Sequence, residues 1–284
     1  REGKYWVGTM SGLASGMRTD FHKYSRSRGN LSNDSVNAFT ESIDGSVWVG
    51  TDNGLNRLRP GSGDFEWINE STEPAISDPR VMSLYSDQNT LWVGTYDSGL
   101  NKVDLITGDT TTYRSGTLGG SDIGANGITS MLRLSTGELL IGTYGGGLSI
   151  YNDESNNFVN LINDPNDSTT LSNNSVLAIY EDSLGFVWIG TEMGLNRYLR
   201  ETRTFQRYFS ERNESNSFSS DIPWCFYEDT SGTLWIGTSG GGLNLWPIED
   251  RRYARANIQQ FFSSKSTLPS SNIYGIQGDA KGWI

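Results

Sequence analysis

Trp188-Ile189-Gly190-Thr191-Glu192-Met193-Gly194-Leu195-Asn196 recurs in near copies along the whole chain. The copies read WVGTMSGLA from Trp6, WVGTDNGLN from Trp48, WVGTYDSGLN from Trp92, LIGTYGGGLS from Leu140 and WIGTSGGGLN from Trp235. A seventh begins at Trp283-Ile284. Neighbouring starts lie 42 to 48 residues apart. A fixed period of that length marks a repeat architecture, in which one supersecondary unit is stacked on copies of itself.

The unit around the best copy runs from Leu171 to Tyr208. LSNNSVLAIYED is a turn followed by an apolar, β-branched run, and SLGF is a tight turn. VWIGT, LNRYL and FQRYF are three further short runs, separated by EMG and RETRT. Four runs of four to eight residues, punctuated by Gly, Asp, Asn and Ser, predict four antiparallel strands, here a to d. No window holds apolar residues at helical spacing over a dozen positions, so no helix is expected. A repeated four-stranded unit of this length is a β-propeller blade. The expected fold is all-β: one propeller domain over 1–284, with about six blade repeats. The chain is expected to be a fragment that begins and ends within blades, from a parent with seven. Full units open near Leu31, Ile76, Ile123, Leu171 and Phe218, and a last one opens at Leu268.

Repeated positions have structural explanations. In strand b, Trp48 and Gly50 share one face, and Val47, Val49 and Thr51 the other. Blades stack on both faces, so the tryptophan is core and the glycine leaves room for a neighbouring blade. Asp44, Asp182 and Asp229 sit in the a–b turns as turn formers rather than general acids. Asn56, Asn101, Asn196 and Asn244, the last residue of GLN, satisfy backbone groups at the start of strand c.

Composition excludes several activities. The net charge is −11, against the basic stripe that nucleic acid requires, so no nucleic-acid partner is expected. Cys225 is the only cysteine and His22 the only histidine, which leaves no internal disulfide, no zinc cluster and no Ser-His or Cys-His machinery unless His22 serves. His22 falls on an outer strand, where the other blades carry Glu66 and Gln206, and reads as a solvated side chain. No cofactor, metal site or catalytic residue is expected.

What differs between copies is more informative about function. The b–c loops and the lead-ins to strand a emerge on one face of the ring. These loops vary in length and residue, and loops on a rigid scaffold are where binding residues collect. The candidate ligand-binding residues are Asp52, Asn53, Tyr96, Asp97, Tyr144, Glu192, Met193 and Ser239. The lead-ins add Asn33-Asp34, Asp78, Asn126, Asn173-Asn174 and Asp221.

Residues 171–197, LSNNSVLAIYEDSLGFVWIGTEMGLNR, resemble almost position for position the repeat of the two-component regulator propellers. Weaker copies cover the chain. Leu140 stands for the tryptophan in one, and Ala14 and Ser149 for the asparagine in two. The resemblance implies the periplasmic sensor region of a bacterial signalling protein, anchored in the inner membrane by one helix. The output part would be a histidine kinase or a diguanylate cyclase. It implies a non-catalytic module that binds a small molecule or oligosaccharide, and a possible homodimer. Two alternatives stand beside it: a propeller hydrolase or lyase acting on glycans, and a scaffold for protein contacts.

Overall fold

The structure is a computed structural model. It describes residues 5–17, 20–69, 71–72, 75–116, 122–211, 214, 216–253, 257–262 and 268–278. The seventh copy at Trp283-Ile284 and the a–b turn before Tyr5 lie outside the described residues.

The fold is a β-propeller of antiparallel blades, each with its strands in sequence order. The chain divides into two compact units, Arg1–Met131 and Leu132–Ile284. The first unit holds three sheets. Blade 1 has the three strands Tyr5–Thr9, Gly12–Met17 and Asp20–Tyr24. Blade 2 runs Val36–Glu41, Val47–Thr51, Gly54–Leu58 and Phe65–Ile68. Blade 3 runs Val81–Asp87, Thr90–Thr95, Leu100–Asp104 and Thr110–Tyr113. The second unit carries blade 4, whose strand a, Ile128–Arg133, holds the division between units, followed by Leu139–Thr143, Leu148–Asn152 and Asn157–Leu161. Blade 5 runs Val176–Glu181, Val187–Thr191, Gly194–Leu199 and Thr204–Tyr208. Blade 6 runs Pro223–Glu228, Leu234–Thr238, Leu243–Trp246 and Gln259–Phe261.

One expectation is corrected. A short helix, Ile248–Arg252, stands between strands c and d of blade 6. Pro247 precedes it, Glu249 and Asp250 occupy its first turn, and Arg251 and Arg252 its last. That charge order suits the helix dipole. At five residues it is too short for helical periodicity to show.

Strand b works as the alternation predicts. In the first unit, Val47 and Val49 pack with Leu13 and Tyr24 of blade 1. Trp48 lies in a cluster with Ile76, Val81 and Leu91 of blade 3. In the second unit, Val187 and Ile189 join Leu140, Leu148 and Ile150 of blade 4, while Trp188 joins Phe218, Leu234, Ile236 and Trp246 of blade 6. Trp48 and Trp188 therefore face the following blade, and Val47/Val49 and Val187/Ile189 the preceding one. Trp48, Trp92 and Trp188 are each 1% exposed. A buried side chain of this kind contributes about 2–3 kcal/mol.

The asparagine of GLN ties strand c to the opening of its own blade. In blade 5, Asn196 Oδ1 accepts the Ser172 N–H (2.9 Å), and its Nδ2 donates to Ser172 Oγ (2.8 Å) and to the Ile189 carbonyl (3.3 Å). Asn56, Asn101 and Asn244 each accept from the matching serine N–H, of Ser32, Ser77 and Ser219. All four asparagines are fully buried. Asn196→Ala strands the Ser172 N–H and a carbonyl inside the blade, and is expected to lower unfolding stability by about 2 kcal/mol. Urea unfolding checks it, and a loss below about 0.5 kcal/mol would contradict this role.

The a–b turn aspartates are turn formers, and Asp182 and Asp229 also hold the tryptophan, whereas in blade 2 Trp48 Nε1–H donates to Ser42 Oγ at 3.0 Å. Asp182 Oδ1 accepts the N–H groups of Leu184 and Phe186, and Oδ2 accepts Trp188 Nε1–H at 2.9 Å. Asp229 does the same for Trp235, at 2.7 Å. At Asp44 and Asp229 burial works to raise the pKa, but it is outweighed. Hydrogen bonds from Ser42, Ser46 and Arg57 hold Asp44, and those from Ser231, Trp235 and Thr233 hold Asp229, below the ordinary carboxylate value. A folded pKa below the unfolded one, about 4, contributes stability that is present above pH ~4 and lost as pH falls through the folded value. The melting temperature is therefore expected to fall steadily below pH ~4, read by circular dichroism in a pH series. A melting temperature that rises on acidification would contradict it.

Candidate ligand-binding loops

Each b–c loop of blades 2 to 6 is built by the same two residues. The threonine of WxGT, fully buried in blades 2 to 6, donates its hydroxyl to the carbonyl of the loop-closing glycine at 2.8–2.9 Å. That glycine must be glycine. Gly99 has φ +90, and a Cβ there would fall against the Tyr113 carbonyl of strand d. Its N–H donates to the carbonyl of Asn126, on the lead-in of the next blade, at 3.0 Å. The same bond links Gly54 to Pro79, Gly147 to Asn174, Gly194 to Asp221 and Gly242 to Ser271. The lead-ins are thus staples between consecutive blades.

The lead-in side chains are used the same way. Asn33, Asp78 and Asn173 each accept the N–H two residues on, at 2.7–2.8 Å, and Asn174 and Asp221 accept from Asn163 and Ser210. One side-chain oxygen of each of these five residues is thereby held by a backbone N–H beside the loops.

In the first unit, the candidate residues fall in two groups. Asp52 and Asn53 are exposed in blade 2. Asp52 Oδ1 accepts Asn37 Nδ2–H at 2.8 Å, and the same nitrogen reaches the Val81 carbonyl at 3.0 Å. In blade 3, Arg80 joins Tyr96 and Asp97: its guanidinium lies 4.3 Å over the Tyr96 ring and bonds Asp97 Oδ2 at 2.5 Å. Ser98 Oγ donates to Asp78 Oδ2 at 3.2 Å. Hydrogen bonding with Asp78, then with Arg80, holds the Asp97 carboxyl below its ordinary value. Asp97 is therefore an anion neutralised by Arg80, which suits it to accept hydrogen bonds rather than to act as an acid.

In the second unit, Tyr144, Glu192 and Met193 are exposed, with Tyr144 at 59% and Met193 at 57%. Two neighbours missed in the sequence make this surface more apolar than expected. Ile162 is 55% exposed and borders Gly147; Phe209 is 43% exposed and borders Gly194. Ser239 is half-buried, with its hydroxyl 3.4 Å from Asn272 Oδ1. Asn272 Oδ1 also takes the Gly240 N–H at 2.7 Å.

Strand a contributes residues that its pattern hides. Its pairing with strand b skips one residue at the same place in blades 2, 3, 5 and 6, between Val36 and Ala38, Val81 and Ser83, Val176 and Ala178, and Pro223 and Cys225. The bulged residues are Asn37, Met82, Leu177 and Trp224. Bulges re-aim one side chain out of the ladder. A strict alternation assigns that position to a face and gives no sign of the extra residue.

His22 lies exposed on strand d of blade 1, edge-on to Tyr24 at 4.7 Å. Cys225 is largely buried, and burial pushes its thiol up to about 11. Among the described residues, no group of three or more His, Cys, Asp and Glu could hold a metal ion. No helix among them is long and apolar enough to cross a membrane.

The family model described as two component regulator propeller matches residues 30–53, 170–193 and 217–240. Histidine kinase P4 of Formosa agariphila is 30% identical over 172 residues, which are 58% of this chain and 12% of that protein. The fold is similar to the extracellular domain of a B. thetaiotaomicron protein described as a hybrid two-component system. The TM-score is 0.78 at 22% identity, over 99% of this chain and 36% of that one. It is also similar to virginiamycin B lyase from Staphylococcus aureus, with TM-score 0.57 at 14% identity, over 82% of this chain and 71% of the lyase. This chain thus spans about an eighth of the kinase and about a third of the extracellular domain.

Proposed function

From the two-component regulator propeller repeats of which this chain is built, we propose that it is a non-catalytic sensor module of a bacterial signalling protein. It works in the periplasm, as part of a membrane-anchored parent, and binds a small molecule or oligosaccharide through its b–c loops. The observation that carries this is the contrast inside each repeat. WxGT, the glycine and the asparagine spend their hydrogen bonds on the blade, whereas the loop residues between them change from copy to copy and most of them stand exposed. A constant scaffold with variable exposed tips is how a repeat protein carries a binding surface. The extracellular domain named above, at 22% identity, supports the fold and is in keeping with the same cellular side. Ligand binding would bias the orientation of the parent's membrane helix, or its pairing with a second copy.

The glycan lyase or hydrolase is the competing function, and one experiment separates them. The chain is incubated with neutral plant and microbial oligosaccharides, while melting temperature and new reducing ends are followed together. A sensor gives saturable stabilisation, about 2.7 kcal/mol at a hundred times the dissociation constant, with no new ends. New reducing ends would sink the non-catalytic assignment. Neither signal with any sugar would favour a scaffold for protein contacts.

A further inference from the structure

We propose that Trp224 and Tyr274 form the stacking platform for one sugar ring of a neutral oligosaccharide, with Ser239 and Asn272 bonding its hydroxyls; this rests on the ligand-binding function proposed above. Trp224 is the bulged residue of strand a, an edge strand of the blade 6 sheet, and it is 38% exposed. Trp235, in the same blade, is half-buried, and Trp188 and Trp246 are 1% and 0% exposed. Trp224 meets Tyr274 edge to face, with ring centroids 5.8 Å apart and planes at 68°. Tyr274 is itself 71% exposed. Two exposed aromatic rings that touch each other make a corner of apolar π surface.

The polar half of the site is fixed by the backbone around that corner. Pro223 pairs with Thr238, Ile273 N–H donates to the Thr238 carbonyl at 3.0 Å, and Cys225 Sγ–H points to the Ile273 carbonyl at 3.6 Å. Thr238 thus meets Pro223 and Ile273, and Ile273 meets Cys225. The next residue along each chain segment is then Trp224, Ser239, Tyr274 or Asn272. Ser239 contributes a hydroxyl. Asn272 uses its Oδ1 on the Gly240 N–H, which orients the side chain and leaves the amide nitrogen as a donor. The exposed face of one of these rings suits a pyranose, whose C–H face is apolar, and the Ser239 hydroxyl and Asn272 amide would serve its hydroxyl rim. The net charge of −11 disfavours an acidic sugar.

The bulge is a position that varies between blades. The same position holds Asn37, Met82 and Leu177 in other blades, so it can change without disturbing the ladder on either side. The preceding residue in each case, Val36, Val81, Val176 or Pro223, stays in the pairing with strand b.

The test uses the 284-residue chain with cellohexaose, xylohexaose and a linear β-galactan tetrasaccharide, followed by calorimetric titration. The expected result is that one of them binds. Trp224→Ala should then weaken it about 30-fold, as removal of a central aromatic anchor does. Trp224→Phe should cost only about 3-fold, because a smaller π face remains. Tyr274→Ala, at a well-exposed position, should weaken binding without altering the fold. Circular dichroism confirms that each variant is folded. Unchanged affinity in Trp224→Ala and Tyr274→Ala, with the wild-type chain binding, overturns the platform and leaves the ligand-binding function standing. No binding by the wild-type chain overturns both.

Discussion

Arg251→Ala is expected to lower the unfolding free energy by about 4 kcal/mol, the largest effect of any single side chain outside the apolar core. Arg251 is fully buried. Its Nε donates to Asp182 Oδ2 at 3.1 Å, and its Nη2 to Glu228 Oε1. Its Nη1 donates to the carbonyls of Gly232 (2.7 Å) and Trp246 (3.0 Å). Asp182 belongs to the a–b turn of blade 5, and Glu228 to strand a of blade 6. The guanidinium therefore neutralises two carboxylates, each 8% exposed or less at the side chain, and joins the two blades. Removing it leaves both acids buried without a counter-charge, and that uncompensated burial is the cost. The worth of the intact cluster is a separate and smaller quantity, because desolvating three charges offsets most of their attraction. Arg251→Lys keeps the charge but loses the fork that reaches four acceptors, so about half the loss is expected. Urea unfolding of wild type and both variants checks this. Since the cluster is dry, 1 M salt should change the differences little. A loss near 1 kcal/mol that disappears in salt would mean the cluster behaves as a surface pair.

Gly190→Ala is expected to cost about 3 kcal/mol through overpacking. A Cβ at Gly190 would lie 2.6 Å from the Pro223 carbonyl oxygen of the next blade. That atom is backbone in a paired strand, so it cannot move aside as a side-chain end could. The register repeats elsewhere, and a Cβ at Gly50 would lie 2.5 Å from Val81 Cγ1, and one at Gly94 2.6 Å from Ile128 Cγ2. The glycine of WxGT is thus the place where strand b meets strand a of the following blade. Gly63→Ala is the control. It has nothing within 4 Å and no positive φ, and should be neutral or stabilising by about 0.5 kcal/mol. If Gly190→Ala and Gly63→Ala unfold at the same urea concentration, close blade contact does not explain the glycine.

A second device between blades follows the same logic. Glu181 accepts the N–H and hydroxyl of Ser135 at 2.7 and 2.8 Å, and Glu228 accepts those of Ser183 at 2.7 and 2.9 Å. The glutamate of the E-D pair in one blade therefore clasps the a–b turn of the blade before it. The aspartate of the pair holds its own turn. The two adjacent acids thus have opposite assignments, and only that of the aspartate is local to its own turn.

The sequence alone determined the blade. Strand alternation has a period of two residues, turns announce themselves by Gly, Asp and Asn, and six spaced copies reinforce one another. The two faces of strand b, the glycine gap, the buried asparagine and the turn aspartates are all consequences of local geometry repeated, and they are where the repeat places them. The b–c loops as exposed, variable tips were legible for the same reason. The tertiary structure alone decided which groups meet across blades. Arg251 reaches Asp182 from 69 residues away, by way of a helix too short to leave a periodic signature. Trp224 leaves its ladder because one residue is inserted in a pairing that alternation assumes to be regular. Ile162 and Phe209 sit at strand ends and become loop-side surface only through the glycines they cover. Periodicity fixes the direction of a side chain relative to its own strand; the partner at the end of that direction is set by the packing of one blade on the next.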